Sequence, residues 1–338
     1  MESKKQRKGV LIRMAKKILM SVFTIFVALI VMFLIIQNMP GNPVEIMATD
    51  IMKRENVQYQ IAYDRAKALL NYDPDMPMVQ RFGNYVKGIA TGNMGVSMTY
   101  QKNVSEVVGA ALPWTLLVVS LSLLLSFAVG VLLGIYIAWR RSKVLNAVLI
   151  GYQSIFGAIP NYVIGYLLVF FFSVILGIFP ARGAYSTSVT VGFNGPFIAD
   201  VMYHAFLPVL TYFVTTVAGW ILSMKANSLS VLGEDYITYA QVRGLPRKRI
   251  LVTYLSKNAI LPLVTSLAVS FGLMFGGSPL IENMFFYPGV GYYLSKAISA
   301  RDYPLMQGMF FIIIVMVVFS SLAAEFLYKY LNPRLRET

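Results

Sequence analysis

Residues 235–262 read DYITYAQVRGLPRKRILVTYLSKNAILP, and they lie between two long apolar runs. Each flanking run approaches the roughly 20 residues that cross a bilayer, so the stretch joins two membrane spans. A bare connection needs only a few residues. This one is far longer, polar and basic. Its pattern predicts a helix up to Gly244, a turn at Gly244-Leu245-Pro246, and helical periodicity resuming beyond. A polar segment of that length is a platform that a partner can grip.

Outward from this platform, the chain reads as membrane protein. It is 57% hydrophobic and 13% charged over 338 residues, with a mean hydropathy of +0.65. A soluble domain carries about 25% charged residues. The expected fold is an all-α polytopic membrane protein with six transmembrane helices, at 17–38, 112–139, 146–178, 204–225, 259–281 and 306–330. The third run is long for one crossing. It is expected to begin as an interfacial turn and to cross after a kink near Pro160. The first run follows a basic tail but is too long for the apolar part of a signal peptide. Gln37-Asn38-Met39-Pro40 also lacks a small-x-small cleavage pattern.

Six crossings put both termini on one side, and the basic residues choose it. Lys4, Lys5, Arg7, Lys8, Arg13, Lys16 and Lys17 precede the first run, and Arg140, Arg141 and Lys143 follow the second. Lys225, Arg243, Arg247, Lys248, Arg249 and Lys257 lie between the fourth and fifth. Lys329, Arg334 and Arg336 close the chain. The formal net charge of +14 collects on this face, which the positive-inside rule makes cytoplasmic. Topology accounts for the charge, so nucleic acid is not an expected partner. Attraction of the tail to anionic membrane lipid is an ordinary consequence.

The expected layout is a basic tail at 1–16, a first span at 17–38, and an extracytoplasmic segment at 39–111. A core of five spans at 112–330 carries a cytoplasmic loop at 226–258, and a short tail at 331–338 follows. In the outer segment, Pro40-Gly41-Asn42-Pro43 ends the first helix. Val79, Phe82, Tyr85, Val86 and Ile89 recur at helical spacing, as an amphipathic helix on the membrane surface or packed on other spans. Leu112-Pro113-Trp114-Thr115-Leu116 is expected to open the second span, with proline near the first turn. The segment is read as a cap for a partner or as packing for the bundle.

Chemistry is sparse. No cysteine is present, which excludes disulfides and thiolate metal sites. His204 is the only histidine, read as a satisfied interfacial residue or a contact in a translocation path. No GxxxxGK[ST] loop, HExxH motif or Ser-His-Asp spacing occurs. Glu325 is the carboxylate expected within a span, with Tyr328 and Lys329 at helical spacing beside it. A charge at mid-membrane costs roughly 2.5–3.5 kcal/mol on insertion scales, so ion relays are disfavoured. Gly130 and Gly134 form a GxxxG stripe that permits close helix approach. The Gly276-Gly277-Ser278-Pro279 break frees backbone groups, which membranes tolerate against protein or a cavity. Gly276, Gly277 and Ser278, with Glu282, are candidates for a translocation path or gate. The break would equally serve simply to let the chain leave the bundle.

Ordered motifs then suggest a family. Asp235-Tyr236, Ala240, Arg243-Gly244-Leu245, Arg249 and Lys257-Asn258-Ala259-Ile260-Leu261-Pro262 resemble the ATPase-coupling loop of ABC importer permeases. Glu282, Phe285 and Tyr287-Pro288-Gly289-Val290-Gly291 resemble E-x-x-F-x-x-P-G-x-G. Ala297-Ile298, Arg301-Asp302-Tyr303-Pro304 and Gln307-Gly308 follow in the expected order. Pro40–Pro43 is similar to P-G-D-P, Gly92–Ser97 to G-D-L-G-x-S, Leu112–Leu116 to L-P-x-T-L, and Asn332–Arg336 to D-P-R-x-R. Asn42, Asn93 and Asn332 stand where the pattern has an acid. Thr238-Tyr239-Ala240 stands where the general coupling motif has Glu-Ala-Ala, and Ser256-Lys257 replaces its later Leu-Pro.

Nearly end to end, the chain resembles the first permease of the dipeptide/oligopeptide/nickel class. That resemblance implies the type I ABC importer permease fold and a place in the cytoplasmic membrane of a bacterium or archaeon. The implied function is half of an import pathway for di- or oligopeptides; nickel chelates or oligosaccharides remain as substrates of the same class, and a self-sufficient secondary transporter as a different reading. The implied partners are a second homologous permease, two ATPase subunits, an extracytoplasmic substrate-binding protein and the peptide. The chain itself is then no enzyme and binds no cofactor or metal, since ATP and Mg sit on the ATPases. The resemblance assigns coupling to Asp235, Tyr236, Tyr239, Ala240, Arg243, Gly244, Leu245, Arg249, Asn258 and Pro262.

Overall fold

The computed structural model describes residues 2–39, 41–70, 76–277 and 279–331, and side chains within those ranges from 14 to 327 apart from position 277. Among these residues the regular structure is helical. In order come α1 (Glu2–Gln37), α2 (Pro43–Glu55), α3 (Tyr59–Leu70), α4 (Met78–Thr91), α5 (Val104–Arg140), α6 (Lys143–Phe156) and α7 (Asn161–Leu168). A π-helical stretch, Val169–Ile175, continues α7. Next are α8 (Gly195–Leu232), α9 (Asp235–Val242), α10 (Arg247–Arg249), a second π stretch (Ile250–Ser256) and α11 (Lys257–Ala259). The last are α12 (Leu261–Gly277), α13 (Pro279–Met284), α14 (Val290–Ala300) and α15 (Tyr303–Leu331).

Four helical stretches are long and apolar enough to span by themselves: Met14–Gln37, Val104–Arg140, Gly195–Leu232 and Tyr303–Leu327. Two bent pairs, Lys143–Phe156 with Asn161–Ile175 and Arg247–Ala259 with Leu261–Gly276, bring the number to six if each pair makes one crossing.

Several helices differ from the sequence expectation, each for a local reason. The third run is not one kinked helix, because its two halves meet at 95° across residues 157–160. Pro160 takes ψ 141 and starts a new helix instead of bending an old one. The fourth helix begins at Gly195, nine residues before the expected 204. Asn194 caps it, its side chain accepting from the Phe197 N–H at 2.9 Å, and Pro196 sits in the first turn. The second helix begins at Val104, so Pro113 lies well inside it rather than in its first turn. The sixth begins at Tyr303, directly after Asp302.

The contacts divide the chain into two units: residues 1–115 with 288–319, and residues 116–287 with 320–338. In the first, Leu29, Met32 and Ile36 of α1 share a core with Val104 and Val108 of α5, Leu294 of α14 and Met309 of α15. The amphipathic helix α4 is packed on a span: the Phe33 ring lies 5.2 Å from Phe82 and 5.8 Å from Tyr85. Outside it, α2 and α3 form their own core of Val44, Met47, Ile51, Ala62, Ala66 and Leu70.

Two asparagines act where the motif has an acid. Asn42 caps α2 by accepting from the Val44 N–H at 3.0 Å, and Asn93 accepts from the Gly95 N–H at 3.3 Å. A neutral amide oxygen satisfies these donors as a carboxylate would. Asn332 lies outside the described residues.

A polar node holds the first unit together. Asp302 is fully buried. Its carboxylate accepts from Ser97 Oγ at 2.5 Å, from the Thr99 N–H at 2.9 Å, and from the Leu305 N–H at 3.2 Å. The last of these caps the start of α15. Nearby, the Val290 N–H donates to Thr115 Oγ1 at 2.8 Å, joining two of the sequence motifs. Burial, then the neighbouring Tyr292, Tyr293 and Asp302, push the Tyr100 hydroxyl up to about 12. It therefore stays protonated over the physiological range.

In the second unit α8 is the central helix: 56% of its most apolar window is buried, against 17% for Met14–Gln37. The glycine stripe explains the close approach of α5. A Cβ on Gly130 would lie 2.3 Å from the Trp220 Cβ, and one on Gly134 would lie 2.6 Å from the Met224 Cβ. Ordinary bundle packing is thus what the GxxxG pattern serves.

Candidate functional site

The platform is built on an inward and an outward face. In α9 the side chains of Ile237 and Ala240 point inward and pack with Ile250, against Trp139, Val231, Leu232 and Leu245. Burying an isoleucine from water is worth about 2–3 kcal/mol, so this small core is enough to seat one short helix. The chain then turns at Gly244, whose φ of +68° belongs to the left-handed region. The Leu245 N–H donates back to the Ala240 carbonyl at 3.2 Å and closes the helix end.

The other residues of the turn face outward. Tyr239 is 74% exposed and Val242 is 82% exposed. They are three apart in a helix and share one face. Asp235, Tyr236, Arg243 and Arg249 are exposed around them. An apolar pair inside a basic, solvated rim is the composition of a docking surface. Ala240 belongs to the underside and contributes packing. Asn258 and Pro262 lie apart from this face, Asn258 donating to the Tyr254 carbonyl at 2.8 Å and Pro262 in the first turn of α12.

From the platform the chain returns to the membrane through the π stretch Ile250–Ser256. The two helical arms, Arg247–Ala259 and Leu261–Gly276, meet at 45°. π-helical turns are rare and are frequently found at functional sites. Nothing in the hydrophobic pattern announces this one, because a π turn differs from an α turn by a single residue of register.

A cavity of about 460 Å³ opens in the same unit. Thr216, Gly219 and Ser223 of α8 face it at helical spacing, as do Ser266 and Ser270 of α12 and Asn161 of α7. Leu123, Trp220, Leu273 and Met274 supply its apolar wall. Of the candidates for a path or gate, Gly276 is exposed with open space beside it, and Gly277 ends α12. Ser278 lies outside the described residues. Gly276 does not belong to the cavity wall. Glu282 does not either: it sits in α13 and is only 2% exposed.

Glu282 and Asp302 are buried carboxylates, whereas Glu325, the carboxylate expected within a span, is exposed on the surface of α15. The side chains of Tyr328 and Lys329 lie outside the described residues. His204 is satisfied, with Nδ1 2.9 Å from the Asp200 carbonyl oxygen and 3.5 Å from its carboxylate. Among the described residues no three His, Cys, Asp or Glu side chains gather as metal ligands do.

This geometry, a span-spanning helical core with an exposed knob between two of its helices, agrees with the comparisons. Residues 130–337 match the family described as binding-protein-dependent transport system inner membrane component. The chain belongs to this family. Its relatives match over almost their whole length. The dipeptide transport system permease protein DppB of Escherichia coli (strain K12) is 29% identical over 322 residues, 90% of this chain and 92% of that one. The di/tripeptide transport system permease protein DppB of Pseudomonas aeruginosa (strain UCBPP-PA14) is 29% identical over 95% of this chain and 98% of its own. The oligopeptide transport system permease protein AppB of Bacillus subtilis (strain 168) is 30% identical over 95% and 98%. The family match covers the platform and all of the named cavity lining except Leu123, so both belong to a multi-pass transport component.

Proposed function

We propose that this chain is one of two permease subunits in an ATP-driven importer of di- and oligopeptides. The observation that carries the reading is the exposed Tyr239–Val242 face on a seated cytoplasmic helix, in a family member without a phosphate-binding loop of its own. The names of the relatives support peptide as the substrate. Energy then enters through contact: two ATPase subunits grip this knob and its counterpart on a second permease. Their closure on ATP moves the two knobs together. The π stretch Ile250–Ser256 passes the motion to α12, and the bundle alternates between inward and outward openings. An extracytoplasmic binding protein delivers the peptide. The basic face, the platform and both termini lie in the cytoplasm.

The absence of cysteine makes the test clean. A Tyr239→Cys variant, assembled with its partner subunits, labelled with a short reagent that has one thiol-reactive and one photoreactive end and then irradiated, is expected to cross-link to an ATPase subunit. The purified chain alone is expected to hydrolyse no ATP, and the assembled complex to take up peptide only with ATP and the binding protein present. Peptide uptake by the chain alone, driven by an ion gradient, would sink the reading.

A further inference from the structure

We infer that the cavity beside α8 recognises the peptide backbone and is indifferent to side-chain charge; this deepens the proposed function and rests on it. Its polar lining consists of hydroxyl and amide groups, and among the described residues the wall carries no charged side chain. Thr216 Oγ1 donates to the Tyr212 carbonyl at 2.7 Å and also pairs with Ser126 Oγ at 2.9 Å, and Ser266 Oγ donates to the Pro262 carbonyl at 3.2 Å. With their protons so used, Thr216 keeps one lone pair and Ser266 two as acceptors. Gly219 leaves open space on the same wall, since a Cβ there would meet nothing within 4 Å. The volume of about 460 Å³ lies within the range of roughly 300–1,000 Å³ typical of small-molecule sites.

A peptide crossing a bilayer must keep its amides hydrogen-bonded, because each buried amide without a partner costs about 1–3 kcal/mol. Those amides recur in every peptide whatever its side chains, beside the terminal ammonium and carboxylate. Acceptors on two facing helices, one row at 216 and 223 and one at 266 and 270, offer partners along the chain direction. A charged wall would hold peptides of one sign and reject the other. A neutral wall passes both, and the apolar side formed by Trp220, Leu273 and Met274 accommodates uncharged side chains.

The test uses Ser266→Cys, a near-isosteric change in a chain with no other cysteine. The complex is assembled first, reconstituted with its partner subunits, and then modified with methanethiosulfonate reagents of similar size carrying a sulfonate or a trimethylammonium. Labelling of this chain is read by mass. Uptake of an acidic, a neutral and a basic dipeptide is measured as the ratio of labelled to unlabelled complex, which cancels any preference of the binding protein. The sulfonate is expected to depress acidic relative to basic dipeptide by about tenfold, and the ammonium to do the reverse, since like charges in a confined path repel strongly. Failure to label, no change on labelling, or equal loss for all three peptides overturns the inference while peptide uptake by the unmodified complex stands. No peptide uptake by the wild-type complex overturns the peptide reading and the inference with it.

Discussion

Two polar constructions in this molecule are made in opposite ways. At Asp302 everything polar turns inward and is satisfied: one buried carboxylate takes three donors from two distant parts of the sequence. At the platform the apolar groups turn outward, with Tyr239 and Val242 left in water. The first arrangement is complete within the chain, since its partners offset the cost of burying the carboxylate. The second is incomplete, since exposed apolar surface gains free energy only when something covers it. Residues of the first kind hold the protein together, and residues of the second kind are the ones that, in the function proposed above, a partner covers.

Breaking the node should have the largest effect on stability. Asp302→Ala removes both acceptor oxygens and leaves Ser97, the Thr99 N–H and the Leu305 N–H without them. We expect a loss of about 3 kcal/mol or more, read as a lower thermal midpoint of the detergent-solubilised protein. Asp302→Asn keeps acceptor oxygen and should lose less. An unchanged midpoint in the alanine variant would show that the node is not structural. Next in size is Ala240→Asp. It places a carboxylate under α9 against Ile237 and Ile250, at a cost of about 2–3 kcal/mol. That cost is confined to the platform. The expected sign is faster tryptic cleavage at Arg243, Arg247, Lys248 and Arg249, with the midpoint of the spans little changed.

The comparison also explains what could be read in the sequence. The platform's helix and its turn at Gly244 were legible because glycine and proline punctuate a short amphipathic segment. The glycine stripe at 130 and 134 was legible for the same reason: backbone approach needs a residue type. The Asp302 node was not, because its partners stand some two hundred positions apart and no local pattern links Ser97 to it. The start of α8 could have been found from Asn194-Gly195-Pro196, a cap followed by proline. The break at Pro160 was seen, but its 95° angle was not. A proline says that a helix changes course, while the angle is set by packing beyond it. The cavity was also within reach, as Thr216, Gly219 and Ser223 fall on one face of an apolar helix. The π stretches were not.

Smaller effects separate backbone from surface. Gly244 is held at φ +68° with nothing within 4 Å of where a Cβ would stand. Gly244→Ala therefore meets no clash, and its cost is the left-handed backbone alone, about 1–2 kcal/mol. Gly244→Asn should cost less, because asparagine tolerates that region. If the alanine variant cleaves no faster with trypsin than the wild type, the turn is not held by its backbone.

The smallest stability effect is expected at Tyr239. An exposed helical position away from caps and cores changes stability by about 0.5 kcal/mol or less when replaced, so Tyr239→Ala should leave the thermal midpoint and tryptic pattern of the isolated chain as they are. Its effect should appear only in the assembly. Truncating a central aromatic of an interface costs about 2 kcal/mol or more, near thirtyfold in affinity. Peptide uptake should fall accordingly, and excess ATPase subunits should restore part of it. Loss of stability without loss of assembly would make Tyr239 a structural residue like Asp302. Loss of assembly at unchanged stability is what an unfinished surface requires.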